Sequence, residues 1–265
     1  MLARPAPSAL LILTAGAFVL LIGFPLVALL VRTLPGGVLG LYLADPQVLA
    51  ALRLSLLTTA LTLLLTVALG TPLAYLLARR QFPGKQWLDT VIDLPMVLPP
   101  AVAGVALLMA FGRRGLLGPL LSALGVELAF TTAAVVLAQS FVAAPFYVKA
   151  ARAGFAAVDP LLEGVSRTLG VPPLRTFWRI TVPLALPGLL GGAVMAWARA
   201  LGEFGATIMF AGNFAGRTQT MPLAIYQAME SDLNVSLTLA TILVIASFAV
   251  LIVFRLAVRR GIAGA

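Results

Sequence analysis

The chain has 265 residues, of which 61% are hydrophobic and only 10% charged, with a mean hydropathy of +1.07; an ordinary soluble domain carries roughly 25% charged residues, so lipid is the solvent here. It contains no cysteine and no histidine, which excludes disulfides, Cys/His zinc sites, thiol nucleophiles and imidazole bases. The formal charge of +9 sits in short basic clusters beside apolar runs, the pattern that orients a membrane protein rather than one that binds nucleic acid.

A membrane-spanning helix needs about 20 predominantly apolar residues. Six stretches satisfy this, at about 8–31, 54–79, 94–112, 128–149, 183–205 and 233–256. They predict an all-α integral membrane protein of one domain. The first stretch follows Arg4, but it exceeds a signal-peptide core and lacks a small-residue cleavage site, so it reads as a retained helix. In the second, Ser55, Thr58, Thr59, Thr62 and Thr66 share one side. Their hydroxyls either line a polar path or bond neighbouring helices and their own backbone.

Pro95, Pro99 and Pro100 make the first turns of the third span irregular, as Pro183 and Pro187 do in the fifth. In the fifth, Gly188, Gly192, Ala196 and Ala200 form a ridge of small residues at i, i+4 spacing that permits close approach by another helix. Arg199 and Glu203 fall on the same face if the helix extends past Glu203. At membrane depth such a pair faces protein or a wet cavity, as a gate or pathway element or as a fixed brace. The uncharged run 204–216 is too short to span and reads as the end of the fifth helix plus a segment dipping back or lying at the interface.

Lysine and arginine counts set the orientation. Twelve of the eighteen fall on the face holding both termini and the 150–182 loop, which the positive-inside rule places in the cytoplasm. Within that loop Asp159 is an N-cap and Pro160 suits the first helical position. A short helix is predicted over Pro160 to Leu169, ended by Gly170 in the left-handed region. Leu161, Leu162, Val165 and Leu169 are apolar anchors at helical spacing, available to a partner's groove or to lipid headgroups.

Glu163, Gly170, Ile180 and Pro183 stand in the register of the "EAA" loop, and the segment resembles that loop of permease subunits in bacterial ABC importers. It departs from the pattern at Gly164 and Val165, where the family has alanines, and at Val182 for leucine. The runs Asp93 to Gly104 and Phe111 to Gly115, and Arg199 to Thr207 continuing to Tyr226, resemble molybdate/tungstate permeases; sulfate/thiosulfate permeases carry a similar Gly-Glu-aromatic-Gly block. The resemblance implies a six-span permease of the bacterial inner membrane with both termini cytoplasmic. It implies a second copy of the chain, two cytoplasmic ATPase subunits and an extracytoplasmic oxyanion-binding protein as partners. Asp159, Pro160, Leu161, Leu162, Glu163, Gly164, Val165, Arg167 and Gly170 would couple to the ATPase; Arg199, Glu203, Thr59, Thr62, Pro99 and Pro100 would form the pathway or gate. No G-x-x-x-x-G-K-[ST] is present, so ATP and magnesium would bind the partner subunits, and the chain itself would be a transport subunit without cofactor, metal or catalytic residue. A rival of another class, an ion-driven carrier acting alone, would need an intramembrane carboxylate, and Glu203 is the acidic residue placed for it.

Overall fold

The computed structural model describes residues 9–34 and 45–263. Arg4 and residue 8, the expected start of the first span, lie outside the described residues. Among the described residues every regular element is helical. Five helices are long and apolar enough to cross a membrane, or six if one bent pair counts as a single span.

Helix α1, Ala9–Thr33, carries no charge before Arg32 in its last turn. Its side chains are almost all exposed, Leu21 by 71%, as expected of a helix whose surroundings are hydrocarbon. It meets the rest of the chain through the last long helix, where the Thr33 and Thr241 hydroxyls lie 2.9 Å apart.

Helix α2, Pro46–Arg79, starts well before the predicted residue 54 because Asp45 caps it, accepting from the Gln47 and Val48 amides at 2.7 and 3.4 Å. Its 34 residues rise about 51 Å, more than a hydrocarbon core of about 30 Å, so both ends project from it.

The predicted third span is two helices. α3, Lys85–Val97, and α4, Pro100–Phe111, meet at an angle of 118°. Leu98 is extended, and Pro99 and Pro100 supply no N–H to carry an α-helix across the joint. The prolines were visible in the sequence, but the size of the bend was not. A short helix, α5, Gly118–Ala123, follows.

Helix α6, Thr132–Ala157, is the centre of the fold. Thr131 caps it, and Ala134, Val135, Ala138, Ala143, Ala151 and Phe155 have no exposed surface. It outlasts the predicted 128–149 by two turns and ends one residue before the extended Val158. α7, Pro160–Thr168, comes next, and then Pro173–Leu201, one long helix, α8, with a π-helical turn at Phe177–Thr181. The small-residue ridge of α8 lies on α6. A Cβ added at Gly188 would stand 2.6 Å from the Cα of Gly154, so the two backbones touch where any side chain would separate them. The core between α2, α6 and α8 is small and apolar, built on Ala74, Leu77, Tyr147, Ala185 and Ala196.

The fifth span stops at Leu201 rather than 205. The chain turns through Gly202 and Glu203 into a separate helix, α9, Gly205–Ala211, with Ala206, Phe210 and Ala211 fully buried against α4 and α6. The segment expected to dip back is thus a packed element of the core. α10, Met221–Ser231, and α11, Leu233–Ala263, complete the chain.

Candidate functional site

The α7 helix is built from its caps. Asp159 Oδ1 accepts from the Leu161 amide at 2.9 Å, Pro160 opens the first turn, and Gly170 ends it at φ 75°, a conformation L side chains rarely adopt. These residues stand where the cap pattern of the sequence predicts them.

The orientation of α7 inverts the usual rule. Leu161, Leu162, Val165 and Leu169 are 72, 45, 57 and 76% exposed, while Glu163 and Ser166 are buried. The polar side holds the helix to the body of the protein. Glu163 Oε1 accepts from Arg79 Nη2 at 2.9 Å and from the Thr181 hydroxyl at 3.0 Å. The same Arg79 nitrogen donates to the Val158 carbonyl at 2.9 Å, so one guanidinium ties the end of α2 to both α7 and the joint that precedes it. The Ser166 and Thr176 hydroxyls lie 2.7 Å apart, and Arg167 Nε donates to the Glu163 carbonyl at 3.3 Å. Gly164 has open space around its Cα. Glu163 therefore points inward, to α2 and α8, and the apolar surface points away.

At the other end of α8, Arg199 Nη1 lies 2.7 Å from Glu203 Oε2. Glu203 Oε1 accepts from the Ala206 amide at 2.7 Å, satisfying one of the unpaired N–H groups at the start of α9. The Glu203 side chain is 1% exposed and that of Arg199 28%. The pair thus fixes the turn between two helices, with the Arg199 side chain left partly exposed.

Thr59 and Thr62, two expected pathway residues, are buried inside this chain. Thr59 donates to its own Ser55 carbonyl at 2.8 Å, and Thr62 to Gln139 Oε1 at 3.1 Å on α6. The stripe is taken up in helix packing because α6 covers it. Pro99 and Pro100 lie at the bend between α3 and α4. Among the described residues no group of three or more acidic side chains is gathered as metal ligands would be.

Sequence reasoning missed Arg79 and Thr181, which lie 84 and 18 residues from Glu163; a single sequence carries no signal for so distant a pairing. It also missed two ion pairs between α3 and α6, Asp89 with Arg152 and Asp93 with Lys149. There a signal existed, since Asp89 and Asp93 are one helical turn apart in an otherwise apolar stretch.

Known proteins share this architecture. The fold matches that of a chain in the crystal structure of a bacterial ABC transporter involved in the import of the acidic polysaccharide alginate, with a TM-score of 0.75 at 15% identity, covering 95% of this chain and 94% of that one; this is a likeness of fold. The molybdenum transport system permease protein ModB of Mycobacterium tuberculosis is 44% identical over 233 residues, 88% of this chain and 88% of that protein. The probable sulfate transport system permease protein cysT of Zygnema circumcarinatum is 32% identical over 238 residues, 89% of this chain and 83% of that protein. Residues 70–263, from the middle of α2 to the end of α11, match a family described as the binding-protein-dependent transport system inner membrane component, and the chain belongs to that family.

Proposed function

We propose that this chain is the membrane-spanning permease subunit of an ATP-driven importer for a tetrahedral oxyanion, molybdate or tungstate, working as a homodimer with two cytoplasmic ATPase subunits and an extracytoplasmic binding protein. The observation that carries the reading is the inverted α7 helix: a polar face bolted to the protein and an apolar face turned outward. An amphipathic helix held this way presents anchors to a partner's groove. The likeness to a molybdenum transport permease over most of both chains supports molybdate as the anion.

In this mechanism the chain lies in the inner membrane with both termini cytoplasmic, and performs no covalent chemistry. ATP closes the ATPases, their grooves carry the two α7 helices together, and the pathway opens outward; hydrolysis reverses the movement. Asp159, Pro160 and Gly170 define the helix, Leu161, Leu162 and Val165 dock it, and Gly164 lets the partner approach closely. Glu163 transmits the force to α2 through Arg79 and to α8 through Thr181, and Arg167 braces the same turn of α7 by donating to the Glu163 carbonyl. Pro99 and Pro100 give α4 a flexible entry, and the partly exposed Arg199 offers the anion a cation at the pathway while Glu203 fixes its position.

Glu203 argues against an ion-driven carrier. Both its oxygens are engaged, by Arg199 and by the Ala206 amide, which leaves no free carboxylate to load and unload a cation. Sulfate is the alternative cargo, favoured by the likeness to cysT. The test is uptake of labelled molybdate by liposomes holding the assembled complex, with sulfate as competitor. Uptake should resist a large excess of sulfate and yield to tungstate; displacement by sulfate at equal concentration would assign the chain to sulfate import.

A further inference from the structure

We propose that Asp89, Asp93, Lys149 and Arg152 form a two-point clasp that makes α3 move as one body with α6, so that force arriving at α7 is delivered to the bend of the third span. The proposal rests on the reading of the chain as an ATP-coupled permease, and extends it to residues outside the loop and the pathway.

The pairs lie on successive turns of both helices. Asp89 Oδ1 is 2.6 Å from Arg152 Nη1 and Asp93 Oδ2 is 2.9 Å from Lys149 Nζ. The carboxylates are four residues apart on α3 and the cations three apart on α6, so each pair occupies one helical face. The numbering runs in opposite directions, 89 with 152 and 93 with 149, as antiparallel neighbours require. The side chains are part-exposed, 37 and 30% in the first pair and 52 and 41% in the second, so each bridge adds little to stability; one would leave α3 free to pivot, whereas two together favour a single register along α6.

Among the described residues little else holds α3. None of its residues is fully buried. Its apolar attachment to the core is through Leu88 and Ile92, while Trp87, Val91 and Val97 are 78, 63 and 81% exposed. The helix begins after Gly84 in the left-handed region, without a side-chain cap, and ends at the 118° bend. An element so lightly packed follows whatever its charged side chains grip.

What they grip leads to the coupling helix. Arg152 stands five residues before the end of α6 at Ala157, about 8 Å along the helix, and the joint from there to Pro160 is pinned by Arg79 on the Val158 carbonyl. Displacement of α7 therefore reaches the clasp through the last turns of α6. On the far side α3 passes into α4, whose Ala103, Gly104 and Leu107 are buried. The clasp makes α6 a lever with two outputs: α8 through the Gly154–Gly188 contact, and the third span through α3.

The four residues are positioning residues, and their test separates uncoupling from collapse. In liposomes with the ATPase and binding-protein partners, Asp89→Asn with Asp93→Asn should leave ATP hydrolysis within about twofold of wild type while molybdate uptake falls about fivefold or more, and the exchange Asp89→Arg with Arg152→Asp should recover most of the uptake lost in either single variant. Undiminished uptake in the asparagine variant overturns the clasp, and so does a joint loss of hydrolysis and uptake with no recovery on exchange. A second readout uses the absence of native cysteine. Spin labels at Val91→Cys and Ala156→Cys in the full complex should report one distance in the nucleotide-free and ATP-trapped states, and a broadened one in the asparagine variant. A distance that shifts between the two states of the otherwise wild-type complex would show α3 sliding on α6 and overturn the proposal. Wild-type uptake that needs no ATP would instead defeat the importer reading itself, leaving the spin-label distances to judge the clasp.

Discussion

Glu163 carries more of the site than its neighbours, and for a reason opposite to the one its helix suggests. Read as a helix, Pro160 to Leu169 should bury its leucines and expose its carboxylate; the structure does the reverse, because Arg79 and Thr181 provide charged and neutral donors in a half-closed space. Removing one member of a buried ion pair is strongly destabilising, on the order of 3 kcal/mol. Glu163→Ala and Arg79→Ala should each lower the thermal midpoint of the purified protein clearly. The double variant should lose much less than the sum, a non-additivity a double-mutant cycle measures. Glu203→Ala should be destabilising by a similar route, because it leaves Arg199 without its counter-charge and the start of α9 without its acceptor, a loss of about 2 to 3 kcal/mol. Glu203→Gln, which keeps the amide acceptor, should lose less, and equal losses in thermal unfolding would contradict the capping role.

At the scale of elements, the caps were legible and the packing was not. Asp159, Pro160 and Gly170 specify α7 by local chemistry, so its bounds in the sequence and the structure agree closely. The small-residue ridge of α8 was also readable, since glycine and alanine at i, i+4 spacing have few other uses in a membrane helix. The sequence could not give its partner, which the structure identifies as α6 through Gly154. Gly188→Val should force the α6 and α8 backbones apart and destabilise by about 2 to 3 kcal/mol. Gly191→Ala, with nothing within 4 Å of its Cβ position, should be neutral or slightly stabilising in the same unfolding assay. The bend at Leu98 and Pro99 and the end of the fifth span at Leu201 were misread for one reason: hydropathy measures how apolar a run is, and a run stays apolar across a break when the far side is buried in protein. Thr59 and Thr62 show the same limit, because a hydroxyl stripe facing another helix has the same sequence as one facing a path.

For the whole molecule, α6 is the frame on which the central helices are packed. α2 and α8 pack along it, α4 and α9 close its N-terminal half, and its C-terminal end runs into α7. Force applied at α7 can therefore reach both α8 and the third span without crossing a loop longer than a few residues. The all-helical membrane architecture, the bounds of α7 and the family were readable from charge-free runs, caps and the Glu163 to Pro183 register. The inward anchoring of that helix was not, because it depends on residues brought together from opposite ends of the fold. The most direct measurement is molybdate uptake in liposomes containing this chain with its ATPase and binding protein, comparing wild type with Glu163→Ala and Gly170→Pro. Uptake that requires ATP in the wild type and is lost in both variants is the result expected. Uptake that persists without the ATPase and follows an ion gradient would contradict the coupling account.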